Sequence, residues 1–547
     1  MFNFARIVLG AIGRRIIGNS LLKTLDRIER ETANLSNGAP HHKLKILYGP
    51  SFCIYDPCFA YDRLFSDALR LRGAAIIPIY CDGIQSVECN YFGGSWLAGS
   101  FQEACRDCVK RSKTLWKANS RTAIPLSKYV GPQDRRLVAA VVDLLAPGTW
   151  STYEENRLPL GQWAKDILVN NYMVANPLLI SGHEELGKVH LKNLLLLKVA
   201  YERLIEDVKP NRVVANDSYY GMWALLGNLA QRSNIPFYSY WPIGGGRVAM
   251  AMNSPSMNLD FRSSWPNFAS KPISAEMSSR VDEWLGPSSC TRIALIETHR
   301  PGAHQHSSFN TSALDPSKPT ALLAANVVWD LAALNKQVVF EDMMTWISAT
   351  IEWFRTHQQY QLIIKPHPVE VNPKIPVTRE RVHVALENSG CVIPANVFLL
   401  EPEDSITVYE LSRHVKVVLV HTTTVGFEMA AIGLPVITTG RAPYRGFGFT
   451  FDAGSQSEYF TLIDDALSDR LLYDRATFSA LAKKFTALYH FHYFMDLGIV
   501  HVGDGTTIKI RTAKDLLPGH NKMLDYILDS IINGEPIISD DRIPPAS

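Results

Sequence analysis

Two short stretches of the chain concentrate residue types that bind anions. Lys365-Pro366-His367-Pro368-Val369-Glu370 places a cation, an imidazole and a carboxylate directly after the apolar run Gln361-Leu-Ile-Ile. In an open α/β sheet, residues at the carboxyl end of a strand face the crevice where ligands bind, and the prolines on either side of His367 restrict the turn. A cation and an imidazole held there suit a diphosphate or phosphodiester. The plainer alternative is a strand-ending turn with solvated polar side chains. The second stretch, His421-Thr422-Thr423-Thr424-Val425-Gly426-Phe427-Glu428, follows another apolar run and opens a helix. Hydroxyls beside the unbonded N–H groups of a first helical turn form an anion site, and Gly426 would let a ligand approach closely. One threonine is enough for an N-cap, so three after a histidine favour a phosphate. Glu428 is placed to accept from ribose hydroxyls, or simply to complement the helix dipole.

The elements that would carry these junctions follow from hydrophobic patterning. Apolar runs begin at Ala321, Gln361, Val397, Val415 and Pro435, and the intervening segments, notably 340–356 and 425–432, have helical character. Near-continuous apolar strands alternating with helices predict a parallel sheet covered on both faces. In the first half, apolar runs at 44–48 and 74–80 flank a helical segment at 61–72, the spacing of a βαβ unit. A long helix over 184–207, a strand from Arg212, a helix over 221–232 and a strand from Ile235 continue the pattern. The 547 residues exceed what one hydrophobic core usually organises. The predicted divisions are a basic amphipathic helix (1–40), a Rossmann-like domain with helical insertions (41–270), a polar connection (271–318), a second Rossmann-like domain (319–470) and C-terminal helices (471–547).

Composition narrows the function. With 55 Lys+Arg against 53 Asp+Glu the formal charge is +2, which argues against a nucleic-acid partner. No apolar run approaches the roughly 20 residues of a membrane-spanning helix. The first 30 residues hold Arg6, Arg14, Arg15, Lys23, Arg27 and Arg30, with Phe4, Val8, Ile12 and Ile16 at four-residue spacing. Such a helix either lies on an anionic inner-membrane surface or packs on the N-terminal domain. Arg14 and Arg15 interrupt the apolar stretch, unlike a secretory signal, so a cytoplasmic location is expected, peripheral on the inner face of the membrane if the helix lies there. Cys81, Cys89, Cys105 and Cys108 fall within 28 residues. Four thiolates so close could hold one structural zinc, although the first spacing is wider than in common zinc knuckles; reduced, partly buried thiols are the alternative.

The stretch from Gly433 to Thr450, with Tyr444 and Gly446, completes a resemblance. Together with the K-P-H-P-x-E and T-T-T-x-G-F-E segments it resembles the donor domain of bacterial capsule and lipopolysaccharide glycosyltransferases, including the β-Kdo-transferase group. The resemblance covers roughly residues 320–460. It implies a GT-B type α/β fold, two Rossmann-like parallel-sheet domains facing a cleft with a C-terminal helical segment crossing back. It further implies that His367 and Thr422 to Thr424 hold the donor phosphate, that Lys365 adds charge nearby, that Glu428 meets the ribose, and that a CMP-activated acidic sugar such as CMP-Kdo is the donor with no catalytic metal or other cofactor. Pro368, Glu370, His421, Gly426 and Tyr444 belong to the same donor-binding set.

Acceptor chemistry then falls to the N-terminal domain, where a general base must take a proton from a sugar hydroxyl. Asp217, after the strand from Arg212 and before a helix, is the candidate, with an N-cap as the alternative role. The partners expected are a nucleotide sugar and a glycan or glycolipid acceptor. Three other readings share the architecture or its parts: a sugar-nucleotide 2-epimerase, a polyol-phosphate transferase, and a non-catalytic scaffold of a capsule assembly complex.

Overall fold

The computed structural model of the protein describes residues 20–36, 44–97, 99–116, 123–216, 219, 221–286, 309–330, 334–373, 375–503 and 505–547. Its first sheet contains β1 (Lys45–Tyr48), β2 (Ala75–Tyr80), β3 (Ile124–Pro125), β4 (Arg212–Asn216), β5 (Phe237–Pro242) and β6 (Arg247–Met252). The second contains β7 (Thr320–Ala324), β8 (Gln361–Lys365), β9 (Val397–Leu399), β10 (Val417–Val420), β11 (Val436–Thr438) and β12 (Phe451–Asp452). A short β13 (Met495–Asp496) then returns to the first sheet, antiparallel to β6.

Both sheets are wound alike. The first runs β6-β5-β4-β1-β2-β3 with β13 added beyond β6, and the second runs β12-β11-β10-β7-β8-β9. Numbered within each domain, both have the order 3-2-1-4-5-6 of a doubly wound Rossmann sheet. Every pair in the second sheet is parallel, as are β1 to β5 in the first. Only β6 runs against its neighbour β5. The reason for the parallel core is legible in the strands: all four residues of β10, Val-Val-Leu-Val, are buried, as are all five of β7 and β8. Helices must therefore cover both faces. On one face of the second sheet the helix Met343–Thr356 buries Trp346, Ile347, Ile351 and Phe354, and on the other the helix Val425–Ala431 buries Phe427 and Met429.

Residues on both sides of position 270 pack into one core. Phe261, Trp265, Met277, Val281 and Trp284 belong to the core of the second domain, where Trp265 stacks on Phe447 at 5.2 Å and Phe261 meets Phe485 edge-on at 5.5 Å. The helix Ala275–Leu285 occupies part of the stretch expected to be a polar connection. The expected crossing-back of the C-terminus is present. Leu524, Ile527, Leu528 and Ile531, on the helix Lys522–Asn533, pack in the N-terminal core. Tyr238 Oη donates to the Ser530 carbonyl at 2.8 Å and Arg72 pairs with Asp525. The Gly244–Gly246 turn serves this return: a Cβ on Gly246 would stand 2.0 Å from the Val500 carbonyl.

Residues 20–36 are helical, with Leu21, Leu25 and Ile28 in the N-terminal core and Arg63 pairing with Asp26 and Glu29. This part of the basic segment packs on the domain; Phe4, Val8, Ile12 and Ile16 lie outside the described residues. No described helix is long and apolar enough to cross a membrane.

Candidate functional site

In a sheet of this order the ligand crevice opens where strands 1 and 4 diverge. In the C-terminal sheet that point lies between β7 and β10. Asn326, just beyond β7, is buried, and its Oδ1 accepts from the Thr422 backbone N–H at 3.2 Å and the Thr422 hydroxyl at 3.3 Å. The His421-Thr422-Thr423-Thr424 turn is thus tied across the switch point. Thr423 Oγ1 accepts from Val425 N at 3.4 Å, and Tyr444 Oη donates to the Thr423 carbonyl at 2.7 Å. His421 is buried with its Nδ1 3.4 Å from Thr439 Oγ1, and its ring lies 6.0 Å from that of Trp346.

The loop after β11 lies against this turn, with Gly440 N donating to the His421 carbonyl at 3.2 Å. Beyond it opens a cavity of about 250 Å³ whose lining includes Arg262, Lys336, Arg441, Arg445, Tyr489 and Tyr493. Arg262 pairs with Asp260. Lys336 and Arg441 have no ion-pair partner among the described residues. Burial, and then the neighbouring Arg441 charge, hold the Lys336 ammonium below its ordinary pKa. Arg445 spends its guanidinium on the Thr438 and Ala453 carbonyls. The tyrosines come from a π-helical turn, Leu488–Tyr493, an irregularity frequent at functional sites. The cavity therefore carries excess positive charge in a partly dry setting, where an anion is held more strongly than in water.

Lys336 also sits over the Tyr219 ring at 5.4 Å, and the Tyr219 hydroxyl bonds to the Leu334 carbonyl, so the carboxyl ends of the two sheets meet here. On the other side of Asn335 a larger cavity of about 970 Å³ is lined by Asp166, Glu341, Asp342 and Glu380. Asp166 accepts from Gln162 Nε2 at 2.8 Å and Asn335 Nδ2 at 2.9 Å, and burial pushes its carboxyl up to about 6. A carboxyl poised near neutral inside a cleft is a general-base candidate.

His367 stands half-buried at the carboxyl end of β8, two strands from β10, hence roughly 10 Å away at the usual strand spacing. Its Nδ1 accepts from the Val369 N–H at 3.2 Å, which leaves the proton of a neutral ring on Nε2. Pro368 opens the 3₁₀ turn that follows.

Four members of the expected donor set are turned inward. Lys365 is buried, its Nζ donating to the Asp404 carbonyl at 2.8 Å, so it ties down the 401–404 loop. Glu370 is fully buried, with Oε1 accepting from Val382 N at 3.2 Å, and burial pushes its carboxyl up to about 8. Glu428 accepts from the Tyr409 hydroxyl and lies 3.4 Å from His490 Nε2, beneath the π-helical turn. Tyr444 is fully buried and fixes the threonine turn. Gly426 is required by that tyrosine: a Cβ there would stand 2.0 Å from its hydroxyl. The spacing of these residues was visible in the sequence; the direction of their side chains was not.

The four-cysteine zinc site does not assemble. No group of three or more His, Cys, Asp or Glu side chains is placed to share a metal ion among the described residues. Cys108 Sγ instead lies 3.7 Å from Cys53 Sγ, which is 3.1 Å from Ser112 Oγ. Asp217 lies outside the described residues. The sequence reading missed Lys336, Arg441, Arg262 and Asp166. Arg441 and Arg445 stood inside the quoted 433–450 segment, whereas nothing in the spacing linked Lys336 to them.

Two similarly wound sheets meeting across a cleft, with the chain's end returned to the first, make the GT-B type of fold. Residues 292–492 match the family model described as capsule polysaccharide biosynthesis protein. That bears out the resemblance drawn from the motifs, and the matched stretch contains both junctions and Lys336, Arg441 and Arg445. No curated protein sequence matches the chain. Similar solved structures include the Thermosulfurimonas dismutans KpsC beta Kdo 2,4 transferase, 14% identical over 50% of this chain and 79% of that one, TM-score 0.29. Another is the S. aureus MnaA–UDP co-structure, 12% identical over 80% and 90%, TM-score 0.26. The Methanocaldococcus jannaschii UDP-GlcNAc 2-epimerase complex is 11% identical over 82% and 99%, TM-score 0.27.

Proposed function

We propose that the protein is a glycosyltransferase of capsule or related surface-polysaccharide assembly, taking a sugar from a CMP-linked acidic donor such as CMP-Kdo to a glycan or glycolipid acceptor. The observation that carries this reading is the cationic cavity beside the threonine turn. Lys336 and Arg441 offer charge to a phosphate and a sugar carboxylate, Thr423 and Thr424 offer hydroxyls, and His367 stands at the carboxyl end of β8 as a further candidate contact. These groups stabilise the charge that develops on the departing nucleotide. They do so without a divalent ion, so EDTA should leave turnover intact. The base that takes the acceptor proton comes from the N-terminal side, with Asp217 and Asp166 as candidates. Part of the protein's acceptor, a glycolipid, would place it at the inner face of the cytoplasmic membrane.

The test is incubation with CMP-, UDP- and GDP-linked sugars, with and without acceptor and with EDTA. Acceptor-dependent release of CMP is expected. An isomerised UDP-sugar formed without acceptor would overturn the reading in favour of an epimerase, and no change in any donor would favour a scaffold.

A further inference from the structure

The switch point of the N-terminal sheet, between β1 and β4, is furnished differently, with five aromatic rings. Tyr91 and Trp223 form its base, both buried and both with their polar atoms committed: Tyr91 Oη donates to the Ser51 carbonyl at 2.9 Å and Trp223 Nε1 to the Pro50 carbonyl at 2.8 Å. Phe52 rests on this base, 4.5 Å from Tyr91. Trp241, at the end of β5, lies near-parallel to Phe52 at 5.9 Å and 24° and to Tyr55 at 5.8 Å and 18°. These three upper rings are only half-buried. Neither the Tyr55 hydroxyl nor the Trp241 indole N–H has a hydrogen-bond partner among the described residues. At the edge of the group Asn216 is fully buried; its Oδ1 accepts from Phe52 N at 2.6 Å, while its Nδ2 has no partner among the described residues.

We propose that Trp241, Tyr55 and Phe52 form a stacking platform for a neutral pyranose ring of the acceptor glycan, with Tyr55 Oη and Trp241 Nε1 meeting its hydroxyls. This rests on the transferase reading for the word acceptor, not for the binding itself. A pyranose presents a face of C–H bonds with hydroxyls around its rim. That matches rings with an apolar body and a polar tip, and a site that is mostly aromatic with a few placed polar groups. A nucleobase would also stack, but its phosphates require the cations, and those stand in the other sheet's cavity.

The experiment measures binding of methyl β-D-galactopyranoside, methyl β-D-glucopyranoside, methyl N-acetyl-β-D-glucosaminide and methyl α-D-mannopyranoside to the full chain, by saturation-transfer NMR and tryptophan fluorescence. At least one should bind. Trp241→Ala and Tyr55→Ala should weaken it roughly ten-fold or more, Trp241→Phe should retain most of it, and CMP affinity should stay within about two-fold in all three. If Trp241→Ala lowers the Tm, Tyr55→Ala and Trp241→Phe carry the comparison. Absence of binding to all four glycosides, survival of binding in Trp241→Ala, or loss of CMP affinity along with it would overturn the proposal. Glycoside binding by a protein that turns over no nucleotide sugar would leave the platform standing and remove the transferase reading.

Discussion

In the N-terminal sheet Asn216, at the end of β4, reaches across to the Phe52 N–H beyond β1; in the C-terminal sheet Asn326, beyond β7, reaches across to the Thr422 N–H beyond β10. Both asparagines sit where strands 1 and 4 separate and leave backbone donors without a ladder partner, and in both a buried amide supplies the missing acceptor. Around that shared solution the two sites part. One is floored by aromatic rings, the other by hydroxyls and uncompensated cations. The strand order fixes where a crevice opens, and the loops entering it decide what chemistry it can hold.

The comparison is most sharply broken or upheld at the cationic side. Replacing Lys336 and Arg441 together by Ala should weaken CMP binding about a hundred-fold, since hydrogen bonds to charged groups are worth about 1.5–3 kcal/mol each. Titration calorimetry in low and high salt reads it, and an unchanged affinity would remove the charge argument. The two asparagines come next. Asn326→Ala leaves the buried Thr422 N–H without its acceptor, costing about 1–3 kcal/mol of stability, and should also lower CMP affinity. Asn216→Ala should cost a similar amount in denaturant unfolding yet spare CMP. If both variants lose nucleotide affinity alike, the two switch points are not divided in function.

The smallest expected effect concerns Glu370. Its buried carboxyl keeps its proton to about pH 8, against an ordinary value of 4.5. Between those values the folded state binds a proton that the unfolded chain releases, so this group's contribution to stability falls as pH rises from about 4.5 to about 8. Glu370→Gln should therefore lose less Tm between pH 5 and pH 8 than the parent protein. An identical pH dependence would mean that the carboxyl is ionised in place.

Much of the architecture was legible because parallel strands buried on both faces are apolar throughout. The runs at Ala321, Gln361 and Val415 coincide with β7, β8 and β10 to within two residues. β6 was missed because Arg247-Val-Ala-Met-Ala-Met directly follows a three-glycine turn and pairs antiparallel with β5, and its outer side is covered only by the distant, returning β13. The threonine turn was found because its hydroxyls are consecutive. Lys336, Arg441 and Asp166 were not, since three separate elements bring them to one cleft. Lys365, Glu370 and Glu428 had the right types at the right junctions, but periodicity does not show which face of a turn a side chain takes.

The most direct measurement is initial-rate kinetics with donor and acceptor varied independently, comparing Arg441→Ala with Trp241→Ala. A divided cleft predicts that Arg441→Ala raises the KM for the nucleotide sugar roughly ten-fold and leaves the acceptor KM unchanged, while Trp241→Ala does the reverse. Equal effects of both substitutions on both substrates would contradict it.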